Sequence, residues 1–369
     1  MEEFLVRFED AELIPEHTMT ETWGNTPERR DMWLETALTR SKWETVWIHF
    51  VEWGSDPNRK LQISESRFGS RHRASPLALA VERAVPWRKT ESLKCIEILL
   101  RAGADLRWQS AYYEFDENGD VKNNKDILLF MFENISMSEK WVDLNLSVLA
   151  LLLSHYQKDD NDLMGDIGTC MNEETLYRAL DIAIMWGKHD TVYANRMCEK
   201  AVSMLLEVNI RTESRHGTLN LALRHILNPE LCLKICEWLC LKGANVNQHT
   251  EKLVRADGRV LIREDLPLAA AAVRGNMELL NLLLFRPNID PNVCVVVEAG
   301  MGKVSCLFFA AKYGLREMVR LLLLHGADPF HRPNTSGKTV LDNIMALDAP
   351  AAELVLELFK AKRLRGRHG

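Results

Sequence analysis

The strongest constraint on this sequence is an internal repeat in its second half. Residues 266–284 and 305–323 align without a gap. Identical residues stand at aligned positions: Leu268 and Leu307, Ala271 and Ala310, Gly275 and Gly314, Glu278 and Glu317. A turn sequence follows each segment, at 288–292 and 326–329. Self-similarity of this kind predicts a stack of repeated units rather than one large globular core.

The pattern of each aligned segment predicts two helices joined by a tight turn. Pro267 suits the first turn of a helix, where a backbone N–H is not needed. Leu268 and Ala271 then form an apolar stripe, and Gly275 ends the helix in a left-handed conformation. A second, leucine-rich helix follows. Because two short helices cannot bury both faces alone, the pattern predicts that neighbouring units stack.

This order of features resembles the ankyrin repeat family, whose pattern is Thr-Pro-Leu-His-x-Ala, then Gly, a leucine-rich helix and Gly-Ala-Asp. More divergent copies are marked by Leu34 with Ala37, Leu77 with Ala80, Leu180 with Ala183, and Leu219 with Ala222. The family histidine is replaced by Ala78, Ala269 and Phe308. A hydrogen-bond network usual in the family is therefore expected to be lost, which would make single repeats less rigid.

The fold class that we predict is all-α, an ankyrin-like helical repeat solenoid with extended β-hairpin loops between some repeats. We interpret residues 31–362 as one repeat domain of about seven units with a C-terminal cap, degenerate around 108–174. Residues 1–30 form an acidic, aromatic entry segment, and residues 363–369 form a basic tail. Tryptophans crowd the first 53 residues, where they either seal the open end of the stack or form a docking surface.

Three loops between repeats predict the hairpins. They lie around 112–119, 252–263 and 293–304. The first contains Asn118-Gly119 and the second Asp257-Gly258, pairs that favour two-residue hairpin turns because both positions need positive φ. Such loops either enlarge a binding edge or are insertions that a solenoid tolerates.

The sequence contains no pattern that carries catalysis. There is no His-Glu-x-x-His and no Gly-x-Ser-x-Gly, and no nucleophile can be named with its base. Cys232, Cys236 and Cys240 share one helical face without a fourth ligand, which favours buried thiols over zinc. We therefore predict no enzyme, no cofactor and no metal.

Composition limits the partners and the compartment. No apolar run reaches the roughly 18–20 residues of a membrane span, and the acidic start MEEFLVRFED predicts no signal peptide. A net charge of -6 argues against nucleic-acid binding by the whole chain. Eight cysteines without a secretory signal predict reduced thiols and a cytoplasmic or nuclear location.

The resemblance also predicts a binding surface. In ankyrin-like stacks, the residue just before the helix-ending glycine tends to face the concave groove. Through the copies, this position holds Arg40, Arg83, Trp186, His225, Arg274 and Tyr313. Arginine and aromatic residues are enriched at binding hot spots, so we predict a groove for an acidic or extended segment of a partner protein. The alternative is that basic residues at helix ends complement the helix dipole.

The function implied by the resemblance is a non-catalytic scaffold or adaptor that binds partner proteins through the groove and the hairpin loops. The alternative is a nuclear regulatory protein that contacts nucleic acid through its basic C-terminal tail, where residues 360–367 include five lysines and arginines. The same tail is also compatible with a nuclear import signal or with a solvated chain end.

Overall fold

The chain forms two compact units. The computed structural model describes residues 27–59, 61–63, 72–106, 127–133, 135–162, 173–208, 217–247, 253–254, 260–261, 266–287, 289–297, 302–332, 337–347 and 349–365. The first unit contains residues 1–135 and 143–158, and the second contains 136–142 and 159–369. The described part of both units is mainly helical, as the repeat pattern predicts.

The first unit begins with two stacked helix pairs. The first pair is α1 (Pro27–Thr39) and α2 (Trp43–Trp47), which continues into a π-helical turn at Ile48–Glu52; the second is α3 (Pro76–Arg83) and α4 (Lys89–Arg101). Helix α1 packs on α3, and α2 packs on α4, so the pairs stack in the same order. Helix α5 (Ile127–Glu133) also packs on α3, and α6 (Glu139–Asp162) contributes residues to both units.

The described part of the second unit contains two rows of helices. The first row is α7 (Glu173–Trp186), α9 (Thr218–His225), α11 (Pro267–Val273), α13 (Cys306–Lys312) and α15 (Val340–Leu347). The second row is α8 (Val192–Glu207), α10 (Pro229–Leu241), α12 (Met277–Leu284), α14 (Arg316–Leu324) and α16 (Ala349–Arg365). Each helix packs on its pair partner and on its neighbour in the same row. The faces that meet between the rows are apolar, and Ala271, Leu283, Ala310 and Leu322 are fully buried there.

Short polar side chains fix where the helices begin. Before α8, Thr191 Oγ1 accepts a hydrogen bond from the Ala194 N–H at 3.1 Å. The same cap is made by Ser75 before α3, Asn228 before α10, Asn276 before α12 and Ser305 before α13. Each such cap satisfies a backbone donor that the helix leaves unpaired and is typically worth about 1 kcal/mol.

Glycines end two of the first-row helices as the sequence predicts. Gly275 follows α11 and Gly314 follows α13, both at φ = +66°. This left-handed conformation is unfavourable for residues that carry a Cβ atom, so glycine is preferred.

Asparagine side chains link the turns of successive repeats. Asn292 Nδ2 donates to the Gly326 carbonyl at 3.4 Å, and Asn292 Oδ1 accepts from the Asp328 N–H at 2.7 Å. Related contacts join Asn58 to Gly103 and Asp105, and Asn247 to Asp290. The turns are therefore tied together by side-chain amides, although the family histidine is absent.

Short antiparallel strand pairs occur in two of the loops for which the sequence predicts hairpins. Strand β3 (Leu253–Val254) pairs with β4 (Val260–Leu261), and β5 (Cys294–Val297) pairs with β6 (Gly302–Ser305). The turns that join these strands, and the loop at 112–119, lie outside the described residues, so extended hairpins stay a prediction. A further pair, β1 (Leu61–Ile63) with β2 (His72–Ala74), was not predicted.

Candidate protein-interaction surface

The six predicted groove residues lie at the ends of the first helices of their pairs. Arg40 directly follows α1 and Arg83 ends α3, both in the first unit. The other four belong to the second unit, where they end or follow α7, α9, α11 and α13: Trp186, His225, Arg274 and Tyr313. Since α7, α9, α11 and α13 pack in sequence, their ends lie along one edge of the second unit.

Trp186 does not line a surface. Its side chain is only 5% exposed, so the indole belongs to the core and is not available to a partner. The sequence rule selected it because Gly187 follows it, but Gly187 does not end the helical run. Residues Gly187–His189 continue as a 3₁₀ turn, and Asp190 takes the left-handed conformation at φ = +41°. The position equivalent to the other groove residues is therefore His189, which is exposed.

Gly187 is required for packing rather than for a turn. A Cβ atom placed on it would lie 2.9 Å from Ile226 Cγ1, below the closest normal contact. Its carbonyl also accepts a hydrogen bond from the Leu227 N–H at 3.2 Å. The glycine thus permits the backbone after α7 to approach the segment after α9, a role that the repeat motif alone does not distinguish from helix termination.

Basic residues dominate the ends of the first-row helices. We call the set Lys188, Arg224, His225, Arg274 and Lys312 the basic row. These residues lie on the 3₁₀ turn after α7, at the end of α9, after α11 and at the end of α13. Lys188, Arg274 and Lys312 are exposed, and Arg224 and His225 are half-buried. The repeat motif does not predict Lys188, because Gly187 matches the helix-ending glycine although the helical run continues to His189.

The charged residues around His225 indicate that the electrostatic potential at this surface is positive. Burial lowers the pKa of His225 below its ordinary value, and the nearby charges of Arg224, Lys188 and Arg274 lower it further. All three of these charges are positive. The ring of His225 is therefore neutral at pH 7 and lies in a positive local potential, which favours an anionic ligand.

Arg274 also has a structural role. Its Nη1 donates to the Ile226 carbonyl at 3.0 Å, and its Nη2 donates to the Arg224 carbonyl at 3.2 Å. These bonds complete the C-terminal end of α9, as basic side chains at helix ends commonly do. In the first unit, Arg88 Nη1 donates in the same way to the Arg40 carbonyl. Arg274 therefore stabilises the neighbouring repeat.

The remaining predicted residues differ in exposure. Tyr313 is 57% exposed, with Lys312 Nζ 5.7 Å from the centre of its ring. Arg83 is half-buried, and its Nε lies 3.7 Å from Glu82 Oε1, so a carboxylate already lies beside it. Arg40 is exposed. Tyr313 thus extends the basic row with an accessible aromatic ring.

The cysteines on α10 are free thiols. Cys232 and Cys236 are fully buried, and Cys240 is half-buried. Burial raises the pKa of Cys240, and the nearby charge of Arg286 acts in the opposite direction. In the parts of the chain that the structure describes, no group of three or more His, Cys, Asp and Glu side chains could hold a metal ion. No helix in those parts has the length and apolarity needed to cross a membrane.

Residues 304–334 match the family model of the ankyrin repeat. The matched segment covers α13, α14 and the turn that carries Asp328. No curated protein matches the chain significantly. Residues 304–334 are thus similar to an ankyrin repeat, and the helix pairs stacked before them in the second unit have the same order of elements.

Proposed function

We propose that the second unit is a non-catalytic protein-interaction module whose basic row binds an acidic, extended segment of a partner protein. Ankyrin repeats generally mediate protein–protein interaction, and residues 304–334 match the family model of one. The observation that carries the proposal is the placement of Lys188, Arg224 and Arg274 at the ends of three successive first-row helices, where all three charges act on His225. The carboxylates of a bound segment rich in Asp or Glu would offset the repulsion among those positive charges, and this makes binding favourable.

The geometry of the helix ends favours an extended segment. The basic row runs across successive first-row helices, which lie side by side, rather than along one helix. An extended chain that crosses these ends meets cationic groups from α9, α11 and α13 in turn. Tyr313 adds exposed aromatic area at one end of the row, where an apolar residue of the partner can pack.

Acidic residues limit the surface on one side. Glu230, Glu278 and Glu317 lie in the first turns of the second-row helices α10, α12 and α14. They repel an acidic segment from the second-row side of the turns. The segment is therefore expected to lie over the ends of the first-row helices.

The test compares two variants of the full chain with equal changes in charge. The row variant carries Lys188→Glu, Arg224→Glu and Lys312→Glu. The control carries Lys200→Glu, Arg316→Glu and Arg320→Glu, at exposed positions on the second-row helices α8 and α14. Affinity purification with mass spectrometry is run on both variants and on the wild type. Arg274 is left intact, because it supports the fold.

The proposal predicts a partner that the wild type and the control retain and the row variant loses. The affinity for that partner should fall with salt, because exposed charges contribute most of the attraction. The proposal is wrong if the row variant retains every partner at unchanged affinity while circular dichroism reports an intact fold.

A further inference from the structure

The second-row helices of the second unit carry a feature that the basic row does not explain. Leu241, Phe285 and Leu324 stand at equivalent positions, at the ends of α10, α12 and α14. They are 69%, 74% and 57% exposed. Three large apolar side chains therefore project into solvent from three successive repeats, at a position where packing does not require them.

The same position is charged in two other repeats. Arg101 stands there in α4, where it is exposed and pairs with Glu97. Glu207 stands there in α8 and is also exposed. An exposed helix end in this fold thus accepts charged side chains without difficulty. The exposed apolar side chains of Leu241, Phe285 and Leu324 at this position are therefore not a requirement of the fold.

The exposed residues continue into a wider surface. One turn earlier on the same helical faces lie Trp238, Leu282 and Leu321, all half-buried. We call the six residues the apolar strip: Trp238, Leu241, Leu282, Phe285, Leu321 and Leu324. The ring of Phe285 meets the ring of His325 edge to face with centres 4.8 Å apart, which connects the surfaces of α12 and α14. Since α10, α12 and α14 pack in order, the strip is continuous across three helices.

The two edges of the strip differ in charge. At the C-terminal ends of the helices, Lys242, Arg286 and His325 directly follow the three exposed apolar residues. At the opposite edge the charges are mixed: Glu278 and Glu317 are exposed near the starts of α12 and α14, whereas the equivalent position in α10 is the exposed Lys234. The Nζ of Lys234 lies 5.2 Å from the centre of the Trp238 ring. The edge at the helix ends is thus basic, and a partner that lies along it should carry acidic residues on that flank.

We propose that the apolar strip binds an amphipathic helix of a partner protein whose acidic flank faces Lys242 and Arg286. Packed helices lie about 8–10 Å apart, so the three exposed side chains repeat at about that interval. A partner helix rises 1.5 Å per residue, so its positions seven residues apart lie about 10.5 Å apart on one face. Apolar residues at i, i+7 and i+14 of such a helix would each meet one repeat.

This surface is separate from the basic row, which lies at the ends of the first-row helices. Tests of the two surfaces can therefore fail independently. Variants of the basic row should leave binding at the apolar strip unchanged.

The experiment starts from a peptide library, because no natural partner is assumed. Phage-displayed peptides of 20 random residues are selected on the immobilised full chain. The strongest sequences are then synthesised with a fluorescent label, and their affinity is measured by anisotropy. We expect them to carry apolar residues seven apart with Asp or Glu on one flank, and to become helical on binding.

Three variants locate the binding surface. The strip variant carries Leu241→Ser, Phe285→Ser and Leu324→Ser, which remove only exposed side chains, and circular dichroism checks its fold. The edge variant carries Lys242→Glu and Arg286→Glu. The control is Val192→Ser, since Val192 is 78% exposed at the start of α8 and lies outside the strip.

The wild type and the control should bind the selected peptides equally. The strip variant should bind at least about tenfold more weakly, as expected for loss of central apolar contacts, and the edge variant about fivefold more weakly. The proposal is overturned if no peptide is selected, if the peptides bind as an extended chain or carry a basic flank, or if the folded strip variant binds them as tightly as the wild type.

Discussion

The backbone N–H of Asp328 donates to Asn292 Oδ1 at 2.7 Å and thereby joins the turns of two successive repeats. The same asparagine donates to the Gly326 carbonyl at 3.4 Å. One side chain thus satisfies a donor and an acceptor of the next turn. In the next turn, the position equivalent to Asn292 is occupied by Phe330. Its ring packs edge to face on that of Phe359 in α16, with ring centres 5.6 Å apart. The polar contact gives way to an apolar one at the last described helix pair.

Removal of this link should destabilise the second unit. Asn292→Ala leaves the Asp328 N–H and the Gly326 carbonyl to water or to no partner, so we expect a loss of about 1–2 kcal/mol in the free energy of unfolding. Urea denaturation followed by circular dichroism measures the change. The matched control is Asn281→Ala on helix α12, where alanine is the better helix former and should not destabilise. Equal losses in both variants would show that the turn contacts contribute nothing.

Substitution of Gly187 tests the close approach between two repeats. In Gly187→Ala, the new methyl group meets Ile226 Cγ1 at 2.9 Å, so the segment after α7 or the isoleucine must shift. Overpacking of this kind costs about 1–3 kcal/mol, and we expect a lower melting temperature.

A double-mutant cycle separates the clash from helix effects. Ile226→Ala removes the atom that the new methyl group meets, so Gly187→Ala should cost less in that background. If Gly187→Ala is equally destabilising with isoleucine or alanine at position 226, the contact with Ile226 is not its cause.

The error at Trp186 shows which part of the site a sequence motif can locate. The motif correctly predicts helix pairs, and Gly275 and Gly314 end their helices as it requires. At α7 the same spacing has another physical cause. A glycine is needed at position 187 because the side chain of Ile226 packs against its backbone, and the left-handed conformation is taken by Asp190 instead. One sequence contains no information on which of these two causes applies. The predicted groove residue therefore moves from the buried Trp186 to the exposed His189.

The apolar strip was predictable in part. Its residues lie in segments that the sequence correctly assigns to leucine-rich helices. In such a run, however, buried and exposed leucines look alike: Leu323 is buried, whereas its neighbour Leu324 is exposed. The register against the first-row helices decides between them, and that register depends on packing that no single repeat encodes.

Stability should fall as the pH is lowered, because of a buried histidine in the first unit. His49 lies in the π-helical turn after α2 with its ring 4.7 Å from that of Trp53. Burial lowers the pKa of His49 from 6.5 to about 4, and Arg30 contributes in the same direction. Between these values the unfolded chain binds a proton that the native ring does not. The free energy of unfolding therefore decreases from pH 6.5 to pH 4 by roughly 3 kcal/mol, because each unit of difference in pKa corresponds to about 1.4 kcal/mol.

A variant with a ring that cannot titrate isolates this effect. His49→Phe keeps an aromatic ring between Phe50 and Trp53 but has no site for the proton. We expect the wild type to lose more stability than His49→Phe between pH 6.5 and pH 4.5, measured by urea denaturation at each pH. Parallel curves for the two proteins would contradict the assignment of the acid sensitivity to His49.

A carboxyl group in the second unit should act in the opposite direction. Asp181 lies on α7 at the position of the family histidine, and its Oδ1 is buried. Burial raises the pKa of Asp181 from 3.8 to about 7, and the charge of Glu174 raises it further. Between these values the native state binds a proton that the unfolded state has lost. The contribution of Asp181 to stability is therefore present below pH 3.8 and is lost as the pH rises through 7.

Asp181→Asn removes the cost of burying a charge while keeping the size of the side chain. We expect the variant to be more stable than the wild type at pH 8, by about 1–3 kcal/mol, because the wild type must hold an ionised carboxylate there. The difference should shrink as the pH is lowered toward 5, since the native carboxyl is then protonated. Melting temperatures of both proteins at pH 5, 6, 7 and 8 measure it. A constant difference across this range, or a less stable variant at pH 8, would mean that Asp181 is ionised in the native protein or is held by a partner that prefers the charge.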